Sequence, residues 1–430
     1  MNGSGPRRLV VEGGTPAIDV NVKRFKPIPE SGIADAVKAM RTGATFRYGL
    51  GGPEESHVSC FEREFARHLG LKHAVAVNSC GGAIFLALRI AGVRPDDRVL
   101  MNAFTFTAVP SAIHQAGATP LLVESNRSFA IDTCDLERKA ERADTRVLLL
   151  SYMRGHVPQM DEVVRICKSH DLILIEDCAH ALCTTWNGAP MGRFGKIACF
   201  STQSSKALSS GEGGILCSDD PEIAAKAILM SGSYEENWRH HSDVPVGCAR
   251  LQSEVPCYSM RMSEIAGAML RPQIPRLERI RSIHQANWTR LVRILERNPH
   301  IDIPPVDPRV QMLGDTLQFH LTGITEEQAN RVIELGKLEN IPMQMFGAGK
   351  NARDFRWWNY LPAPPTLPMT EETIRFAVDL CLGSHLTVAH IDSIGEALLR
   401  ILDWIGEKTP AEEAVTGVPA ASISDKLQNH

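Results

Sequence analysis

The chain has 430 residues, a formal net charge of −4 at pH 7, and 43% hydrophobic and 22% charged residues. This length is sufficient for two domains with buried cores, and the lack of a basic surplus excludes a general electrostatic affinity for nucleic acid or an anionic membrane. No apolar run approaches the roughly 20 residues of a membrane helix, and we expect no secretory signal in residues 1–16, which lack an apolar segment.

Eleven cysteines are spread along the chain without CxxC pairs or another metal-ligand spacing. Most lie in apolar or small-residue segments, as Cys167 and Cys199 do. This pattern is typical of buried free thiols in a reducing compartment, so the sequence predicts a cytoplasmic protein without a metal site.

Helices and strands are predicted to alternate between about residues 58 and 230. The first helix, CFEREFARHLG, ends at a glycine. Apolar runs of strand length follow, with helical stretches such as GGAIFLALRIAGV and MDEVVRICKSH among them: HAVAVN, RVLMNAF, TPLLVES, TRVLLLSY, DLILIED and GILCSD. Strands that are apolar along their whole length predict a parallel or mixed sheet between helices, and ligands of such sheets bind at the carboxyl ends of the strands.

The pattern changes after about residue 260. A long helical region with a proline interruption precedes a strand (DTLQFHLTGI), a helix (TEEQANRVIELGKLEN), a loop rich in aromatic residues and proline, and a final helix (HIDSIGEALLRILDWI). We therefore predict a large α/β domain over residues 25–265 and a smaller α+β domain over 266–406. Residues 407–430 are polar and poor in aromatics, which predicts a disordered tail.

Two glycine- and aromatic-rich segments follow predicted strands. In VNSCGGA, residues 77–83, a Gly-Gly pair precedes a helix, whose N-terminal amides can bind a phosphate. In MNAFTFTAV, residues 101–109, Phe104 and Phe106 lie beyond a strand and could stack on a flat ring. Taken singly, each segment is more simply interpreted as a turn or as core.

Two further segments carry charged groups. In LILIEDCAHA, residues 172–181, a buried strand runs into Glu176 and Asp177. A carboxylate there needs a partner, and both a protonated ring nitrogen and the amides of a following helix stay open as that partner. In FSTQSSKALSSGEGG, residues 200–214, Lys206 lies among small polar residues. It is either a loop lysine or an amine with a lowered pKa that forms a Schiff base with an aldehyde.

The four segments together make a more specific prediction than any one of them. They supply a phosphate cradle, an aromatic platform, a carboxylate for a pyridinium nitrogen and a Schiff-base lysine. Pyridoxal phosphate requires these four features of the protein that binds it. The sequence therefore predicts a pyridoxal phosphate site.

From about residue 30 to 400 the chain resembles the DegT/DnrJ/EryC1/StrS family of sugar aminotransferases of fold type I. The resemblance rests on the pattern FE-x-x-FA-x-x-LG that ends at Gly70 and on TFTAVPSAIHQAGATPLLVE, RGHVPQMD, IEDCAHA, FSTQSSKALSSGEGG and MRMSEIAGAML. It implies a fold type I transferase, with a mixed, mostly parallel sheet between helices in the large domain and a smaller C-terminal α+β domain.

The same resemblance implies an activity and partners. The protein would move an amino group from L-glutamate or L-glutamine to the ketone of a sugar or cyclitol, in the biosynthesis of natural products such as antibiotics. Its partners would be the small-molecule donor, the keto acceptor and a second copy of the chain in a homodimer. A lyase, decarboxylase or substitution enzyme with the same cofactor and fold is the alternative.

Residue roles follow from the matched motifs. Lys206 would bind pyridoxal phosphate as a Schiff base, and Asp177 would pair with the ring nitrogen. His180 would lie beside the ring hydroxyl, and Phe106 would stack on the ring. Family dehydratases carry histidine in place of this lysine, so the resemblance favours an aminotransferase.

The phosphate-binding residues depart in part from the family pattern. Ser201 matches the serine that binds the phosphate, assisted by the backbone of Cys80 and Gly81. The family often has Ser-Gly-Thr where this chain has Ser79-Cys80-Gly81. Ser259 or a neighbour stands where an asparagine of the partner subunit is usual.

Substrate contacts are predicted from segments in which this chain differs from the family. SYMRGH replaces the family's VHLxG segment, which makes Tyr152 and Arg154 candidates, together with Tyr48 in the loop FRYGLGGPEE. Arg154 could instead form an ion pair between subunits. The segment KNARDFRWWNYL, residues 350–361, could bind a polar cyclic substrate, although packing is favoured for its two tryptophans.

Overall fold

The structure is a computed structural model that describes residues 7–407. Its α-helices are α1 (Glu30–Thr42), α2 (His57–Leu69), α3 (Cys80–Ile90), α4 (Ala108–Gln115), α5 (Thr133–Arg142), α6 (Met160–Ser169), α7 (Pro221–Gly232), α8 (Cys248–Leu251), α9 (Glu264–Leu270), α10 (Leu277–Leu295), α11 (Glu326–Leu338), α12 (Pro368–Arg375) and α13 (Val388–Glu407). Its strands are β1 (His73–Val77), β2 (Arg98–Asn102), β3 (Thr119–Val123), β4 (Val147–Ser151), β5 (Ile173–Asp177), β6 (Thr185–Trp186), β7 (Ala189–Pro190), β8 (Ile197–Ser201), β9 (Gly214–Ser218), β10 (Ile301–Asp302), β11 (Val310–Gln311), β12 (Thr316–Leu321), β13 (Met343–Met345) and β14 (Ala377–Cys381).

A seven-stranded sheet with the order β1-β9-β8-β5-β4-β2-β3 forms the centre of the fold. Neighbours from β3 to β8 are parallel, and β9 is antiparallel to both β8 and β1. The predicted mixed, mostly parallel sheet is confirmed. The one strand of this sheet that was not predicted is β8, because its short apolar run leads directly into the polar segment around Lys206.

The central strands are apolar along their length because both faces of the sheet are covered. In β4, Leu148 and Leu150 pack in one hydrophobic cluster with Phe61 and Phe65 of α2. Leu149 lies between them in the sequence and packs in a second cluster on the opposite face, with residues of α3 and α4. This alternation is the two-residue period of a strand, and it leaves only the strand ends for polar groups.

A four-stranded antiparallel sheet with the order β10-β12-β14-β13 lies in the C-terminal part. Residues of α10, α11 and α13 pack with this sheet in a third hydrophobic cluster. The predicted proline interruption is the 3₁₀ segment Arg271–Arg276, where Pro272 and Pro275 separate α9 from α10 because proline has no amide to donate.

Two segments pack in hydrophobic clusters formed mainly by parts of the chain that are distant in sequence. Leu9, Ile18 and Val22 pack in the cluster of the four-stranded sheet. Conversely, Phe355 and Trp358 pack in the second cluster of the seven-stranded sheet. The division into residues 25–265 and 266–406 stays a prediction, and Phe355 and Trp358 of the second part pack in the core of the first.

Three smaller observations complete the fold. All eleven cysteines lie in residues 7–407 as free thiols, but Cys134 and Cys257 are exposed rather than buried. In the same range no helix combines the length and the apolar character that crossing a membrane requires. Residue 407, the first of the predicted tail, ends α13, and the rest of that predicted tail lies outside the described residues.

Candidate active site

The carboxyl ends of β2, β4 and β5 meet at one edge of the seven-stranded sheet, and a chain of hydrogen bonds joins them. The Ser151 amide donates to Asn102 Oδ1 at 2.9 Å. The Thr105 hydroxyl donates to Ser151 Oγ at 2.8 Å, and Ser151 Oγ in turn donates to Asp177 Oδ2 at 2.7 Å. Ser151 carries no signal in the sequence, where it is only the last residue of an apolar strand.

Glu176 and Asp177 are adjacent but have different surroundings. Glu176 accepts hydrogen bonds from three backbone amides of residues 192–195 at 2.6–2.9 Å and from the Tyr152 hydroxyl at 2.6 Å. These four donors satisfy both of its oxygens, so Glu176 has a structural role. Tyr152 is fully buried, and its hydroxyl donates to Glu176 because the chain turns back after β4. The predicted contact of Tyr152 with the substrate is therefore wrong.

Asp177 is held only by neutral donors. Besides Ser151, the Ala179 amide lies 3.1 Å from Oδ1 and the Cys80 thiol lies 3.9 Å from it. A turn follows rather than a helix, so this amide contact is local. Burial raises the pKa of Asp177, and its contacts within residues 7–407 include no ion pair with a cation. A buried carboxylate of this kind fits a protonated ring nitrogen as its partner.

Lys206 lies close to His180 in the adjoining loop. Its Nζ is 3.0 Å from His180 Nε2. Burial, followed by the charge of Arg154, lowers the pKa of Lys206 to about 8. Burial, followed by the charge of Lys206, lowers the pKa of His180 well below its usual value. The imidazole is therefore neutral near pH 7, and the lysine amine loses its proton more easily than an exposed one.

The N-terminus of α3 provides the predicted phosphate cradle. The Ser79 hydroxyl caps the helix by accepting from the Gly82 amide at 2.9 Å. The amides of Cys80 and Gly81 belong to the first turn, which has no intrahelical acceptor for them. A methyl group added to Gly81 would meet nothing within 4 Å, so the space beside this turn is open to a ligand.

Ser201 lies near the N-terminus of α3 because the backbone of its partner Gly214 contacts the backbone of Ser79. Ser201 pairs with Gly214 in the β8–β9 ladder. A Cβ atom on Gly214 would lie 2.3 Å from the backbone of Ser79, so only glycine permits this approach. Ser201 is thereby held next to the N-terminus of α3.

The two phenylalanines after β2 have different positions. Phe104 is fully buried and packs with Phe129 and Phe346. Phe106 is 41% exposed, and the guanidinium of Arg353 lies over its ring, 5.6 Å from the centroid. Phe104 therefore belongs to the core, whereas the exposed part of the Phe106 ring is available to stack on the ring of a ligand.

The remaining predicted substrate residues have partners within the chain. Arg154 pairs with Asp379 of β14, and both its substrate contact and its ion pair between subunits stay predictions. Its φ of 56° is rare for arginine and places it at a tight turn after β4. Tyr48 is buried, and its hydroxyl lies 3.0 Å from His241 Nε2. This contact gives no support to a substrate role for Tyr48.

One charged residue of the site carried no signal in the sequence. Lys26 Nζ lies 3.3 Å from the backbone oxygen of Lys206 and 3.4 Å from that of Ala207. The ammonium of Lys26 thus fixes the backbone that carries Lys206. No local pattern indicates a contact between residues 180 positions apart.

The donor set of the site fits pyridoxal phosphate. It offers an unpaired buried carboxylate, an amine of lowered pKa, an open helix N-terminus and a half-exposed ring. A family model described as the DegT/DnrJ/EryC1/StrS aminotransferase family matches residues 34–399. The chain belongs to this family. The predicted family, the fold type, the class of enzyme and the pyridoxal phosphate cofactor are confirmed.

Two curated relatives are similar to this chain over half or more of its length. The spore coat polysaccharide biosynthesis protein SpsC of Bacillus subtilis is 36% identical over 51% of this chain and 57% of its own length. The 3-amino-5-hydroxybenzoate synthase of Amycolatopsis mediterranei is 31% identical over 69% of this chain and 74% of its own. The match with SpsC thus spans little more than half of that protein.

Two solved structures extend the similarity over nearly whole chains. The crystal structure of 3-amino-5-hydroxybenzoic acid synthase has a TM-score of 0.76 and 25% identity, covering 89% of this chain and 100% of that one. The pyridoxal phosphate form of Spr1654 from Streptococcus pneumoniae has a TM-score of 0.74 and 21% identity, covering 89% and 99%. The second similarity shows the fold.

Proposed function

We propose that the protein transfers an amino group from L-glutamate or L-glutamine to the ketone of a sugar or cyclitol in natural-product biosynthesis. One observation carries the proposal. At a single sheet edge, burial lowers the pKa of the Lys206 amine to about 8. The charge of Lys206 acts on Asp177, whose hydrogen bonds within residues 7–407 come from neutral donors. Family membership adds the class of reaction.

We infer that the side chains of this edge hold the cofactor as their chemistry suggests. Asp177 would bind the ring nitrogen, His180 the ring hydroxyl and Phe106 one face of the ring. Ser201 and the amides of Cys80 and Gly81 would bind the phosphate. When bound, pyridoxal phosphate supplies a ring that accepts the electron pair left on the α-carbon of the donor.

Lys206 then has two tasks. Its amine would hold the cofactor covalently, and as a free amine it would take the proton from the α-carbon of the donor and return a proton on the cofactor side. A pKa of about 8 suits both directions of transfer near neutral pH, because the amine and ammonium forms are both populated. The Lys26 contact with the Lys206 backbone supports a fixed starting point for this movement.

Asp177 supports the reaction through charge. Its carboxylate would keep the ring nitrogen protonated, so that the ring remains an electron acceptor. Ser151 and the Ala179 amide hold the carboxylate in place, so little reorganisation is needed when charge develops. Neutral His180 adds no positive charge beside the Lys206 amine, which favours its deprotonated form.

The class of acceptor is proposed from the relatives. One is named for spore coat polysaccharide biosynthesis, and another for the synthesis of 3-amino-5-hydroxybenzoate. Polysaccharide building blocks and hydroxylated six-membered rings support a sugar or cyclitol ketone as the acceptor. The alternative is a lyase, decarboxylase or substitution enzyme of the same fold that uses pyridoxal phosphate on a small metabolite.

We further propose a homodimer in the cytoplasm. Apolar side chains are exposed along residues 25–46, with Phe25 at 61%, Ile33 at 41% and Met40 at 53%. Such a stretch supports a contact with a second copy of the chain. The eleven free thiols support a reducing compartment. Light scattering of the purified protein tests the dimer, and a mass equal to one chain would contradict it.

The reaction is tested with the purified protein, pyridoxal phosphate, a donor and a panel of keto sugars and ketocyclitols. Mass spectrometry should detect one aminated ring for each keto acid released from L-glutamate or L-glutamine. Lys206→Ala serves as the control and should form neither product. Release of ammonia or carbon dioxide without an aminated ring would favour the alternative reaction.

A further inference from the structure

We propose that Arg353 binds the α-carboxylate of the amino donor and thereby orients the donor at the Lys206 site. The inference rests on the proposed function, since it assumes that an amino acid is the donor. It is carried by a cation in the site that has no acidic partner among residues 7–407.

The four-stranded sheet presents a polar row toward the site. Gln318 and Gln344 both pair in register with Asp379, one on each side of it. Gln318 Nε2 donates to Asp379 Oδ1 at 2.7 Å. Arg154 pairs with the same carboxylate, and His156 Nε2 lies 2.8 Å from Gln318 Oε1. Since Arg154 and His156 follow β4, this row faces the carboxyl edge of the seven-stranded sheet.

The polar row contains two guanidinium groups and one carboxylate. The single carboxylate of Asp379 is already paired with Arg154. Arg353 is the second guanidinium, and its one hydrogen bond is from Nη1 to Gln344 Oε1 at 3.4 Å. Its Nε is buried without a partner, and within residues 7–407 it forms no ion pair with a carboxylate. One cation at this surface is therefore left for an anion from outside the chain.

Partial burial makes an unpaired charge on Arg353 energetically unfavourable. Loss of solvent, followed by the charge of Arg154, lowers the pKa of Arg353. Arg353 is partly buried, with its Nε out of contact with solvent. A cation in such a position without a counter-ion is unfavourable, and the binding of an anion offsets that cost. The arrangement is typical of a residue whose partner is a ligand rather than another side chain.

Arg353 is located where a donor would be processed. Its guanidinium lies over Phe106, 5.6 Å from the ring centroid. Phe106 follows Thr105, which begins the hydrogen-bonded chain through Ser151 to Asp177. The Thr107 amide donates to the backbone oxygen of Ala352 at 2.9 Å, so the two loops are joined directly beside the guanidinium.

The loop that carries Arg353 is anchored on both sides. Asp354 is fully buried, and it accepts from the Arg356 amide at 3.0 Å. Phe355 and Trp358 pack in the core of the seven-stranded sheet, and Trp358 Nε1 donates to the backbone oxygen of Ala352 at 3.1 Å. The guanidinium is thus held in place before a ligand binds, which favours specific recognition.

The chemistry of the ligand follows from the shape of the group. A guanidinium has a planar set of N–H donors that matches a carboxylate with two parallel hydrogen bonds. L-glutamate and L-glutamine share an α-carboxylate, whereas an unsubstituted sugar or cyclitol carries none. A phosphate of a nucleotide-linked acceptor has similar anionic chemistry, so the experiment must separate the two sources.

The test compares L-glutamine with its α-carboxamide in single-turnover reactions, followed by the absorbance of the bound cofactor. The wild-type protein should react with the carboxylate form about 10- to 100-fold more efficiently, as expected for a hydrogen-bonded charge. In Arg353→Met the two forms should react within about threefold of each other. Arg353→Lys should recover part of the preference, because it keeps the charge without the planar donors.

Lys350→Met is the matched control, since it removes one positive charge from an exposed position of the same loop. It should keep the full preference for the carboxylate. The visible absorbance of the cofactor in each variant reports whether the site remains intact. If Arg353→Met does not bind the cofactor, Arg353→Lys provides the comparison, with an intermediate preference expected.

Each other outcome overturns the assignment in a distinct way. If Arg353→Met keeps the preference, the donor carboxylate is bound elsewhere, although the proposed function stands. If the variant changes only the KM of a phosphate-bearing acceptor, the anion is that phosphate and not the carboxylate. If the wild-type protein reacts with neither L-glutamine nor L-glutamate, the proposed function fails, and the assignment fails with it.

Discussion

Two polar surfaces face each other in this protein, and they are built differently. The carboxyl edge of the seven-stranded sheet collects Ser151, Asp177 and Lys206 from strand ends and the loop after β8. The four-stranded sheet instead aligns Gln318 and Asp379 across neighbouring strands. We propose that the first surface carries groups for bond making and proton transfer, and that the second carries groups that bind and balance charge. Chemistry and recognition would then lie on separate sheets.

The largest effect is expected at the seven-stranded sheet. Lys206→Ala removes both the amine that attaches the cofactor and the group that moves the proton. We expect turnover to fall by at least about 10³-fold, while thermal unfolding stays close to that of the wild-type protein. Initial rates of keto acid release measure the effect. Turnover near the wild-type rate would contradict the role of Lys206.

A somewhat smaller loss is expected for Asp177→Asn. The amide cannot compensate a protonated ring nitrogen, so kcat should fall by about 10²- to 10³-fold. The stability of the cofactor-free protein should change little, because Asp177 is a buried carboxylate without a cation in the described part of the chain. Rates and urea unfolding are measured on the same samples. Unchanged kcat would remove Asp177 from the cofactor site.

Glu176→Gln should give the opposite result one residue away. Glu176 accepts four hydrogen bonds from the 192–195 loop and Tyr152, and the amide can replace only one of its two acceptor oxygens. We expect the free energy of unfolding to fall by about 2–4 kcal/mol, with the absorbance of the bound cofactor unchanged. A variant with normal stability and lost activity would reverse the roles given to the two carboxylates.

The smallest effect concerns pH. Because the pKa of Lys206 is lowered to about 8, the fraction of free amine rises as pH increases through 8. The rate of cofactor attachment to the cofactor-free protein should therefore increase about tenfold per pH unit below 8 and level off above about 9. Stopped-flow absorbance measures this rate. A rate that continues to rise past pH 10, as for the ordinary value of 10.5, would contradict the shift.

Much of the seven-stranded sheet and its edge could be predicted from the sequence. The strands are continuous apolar runs, and the segments around Asp177 and Lys206 are each contiguous. Local patterns therefore carry both the elements and the groups at their ends. The roles of Lys206, Asp177, His180, Phe106, Ser201, Cys80 and Gly81 remain predictions, and the geometry above supports them.

The other features depend on contacts that sequence order does not reveal. Lys26 and Arg353 reach the site from distant segments, and Ser151 reads as the end of an apolar run. The departure of SYMRGH from the family's VHLxG segment predicts a substrate contact for Tyr152, yet its ring is buried and its hydroxyl donates to Glu176. Register and turn geometry determine these positions, and neither is encoded in a short local motif.

The measurement that tests the central claim most directly is the absorbance spectrum of the purified protein during addition of L-glutamine and then L-glutamate. The account predicts a visible band from pyridoxal phosphate bound to Lys206, and loss of that band with release of keto acid when a donor is added. A protein without a visible band, even after pyridoxal phosphate is supplied, would contradict the assignment of Lys206 and of the site built around it.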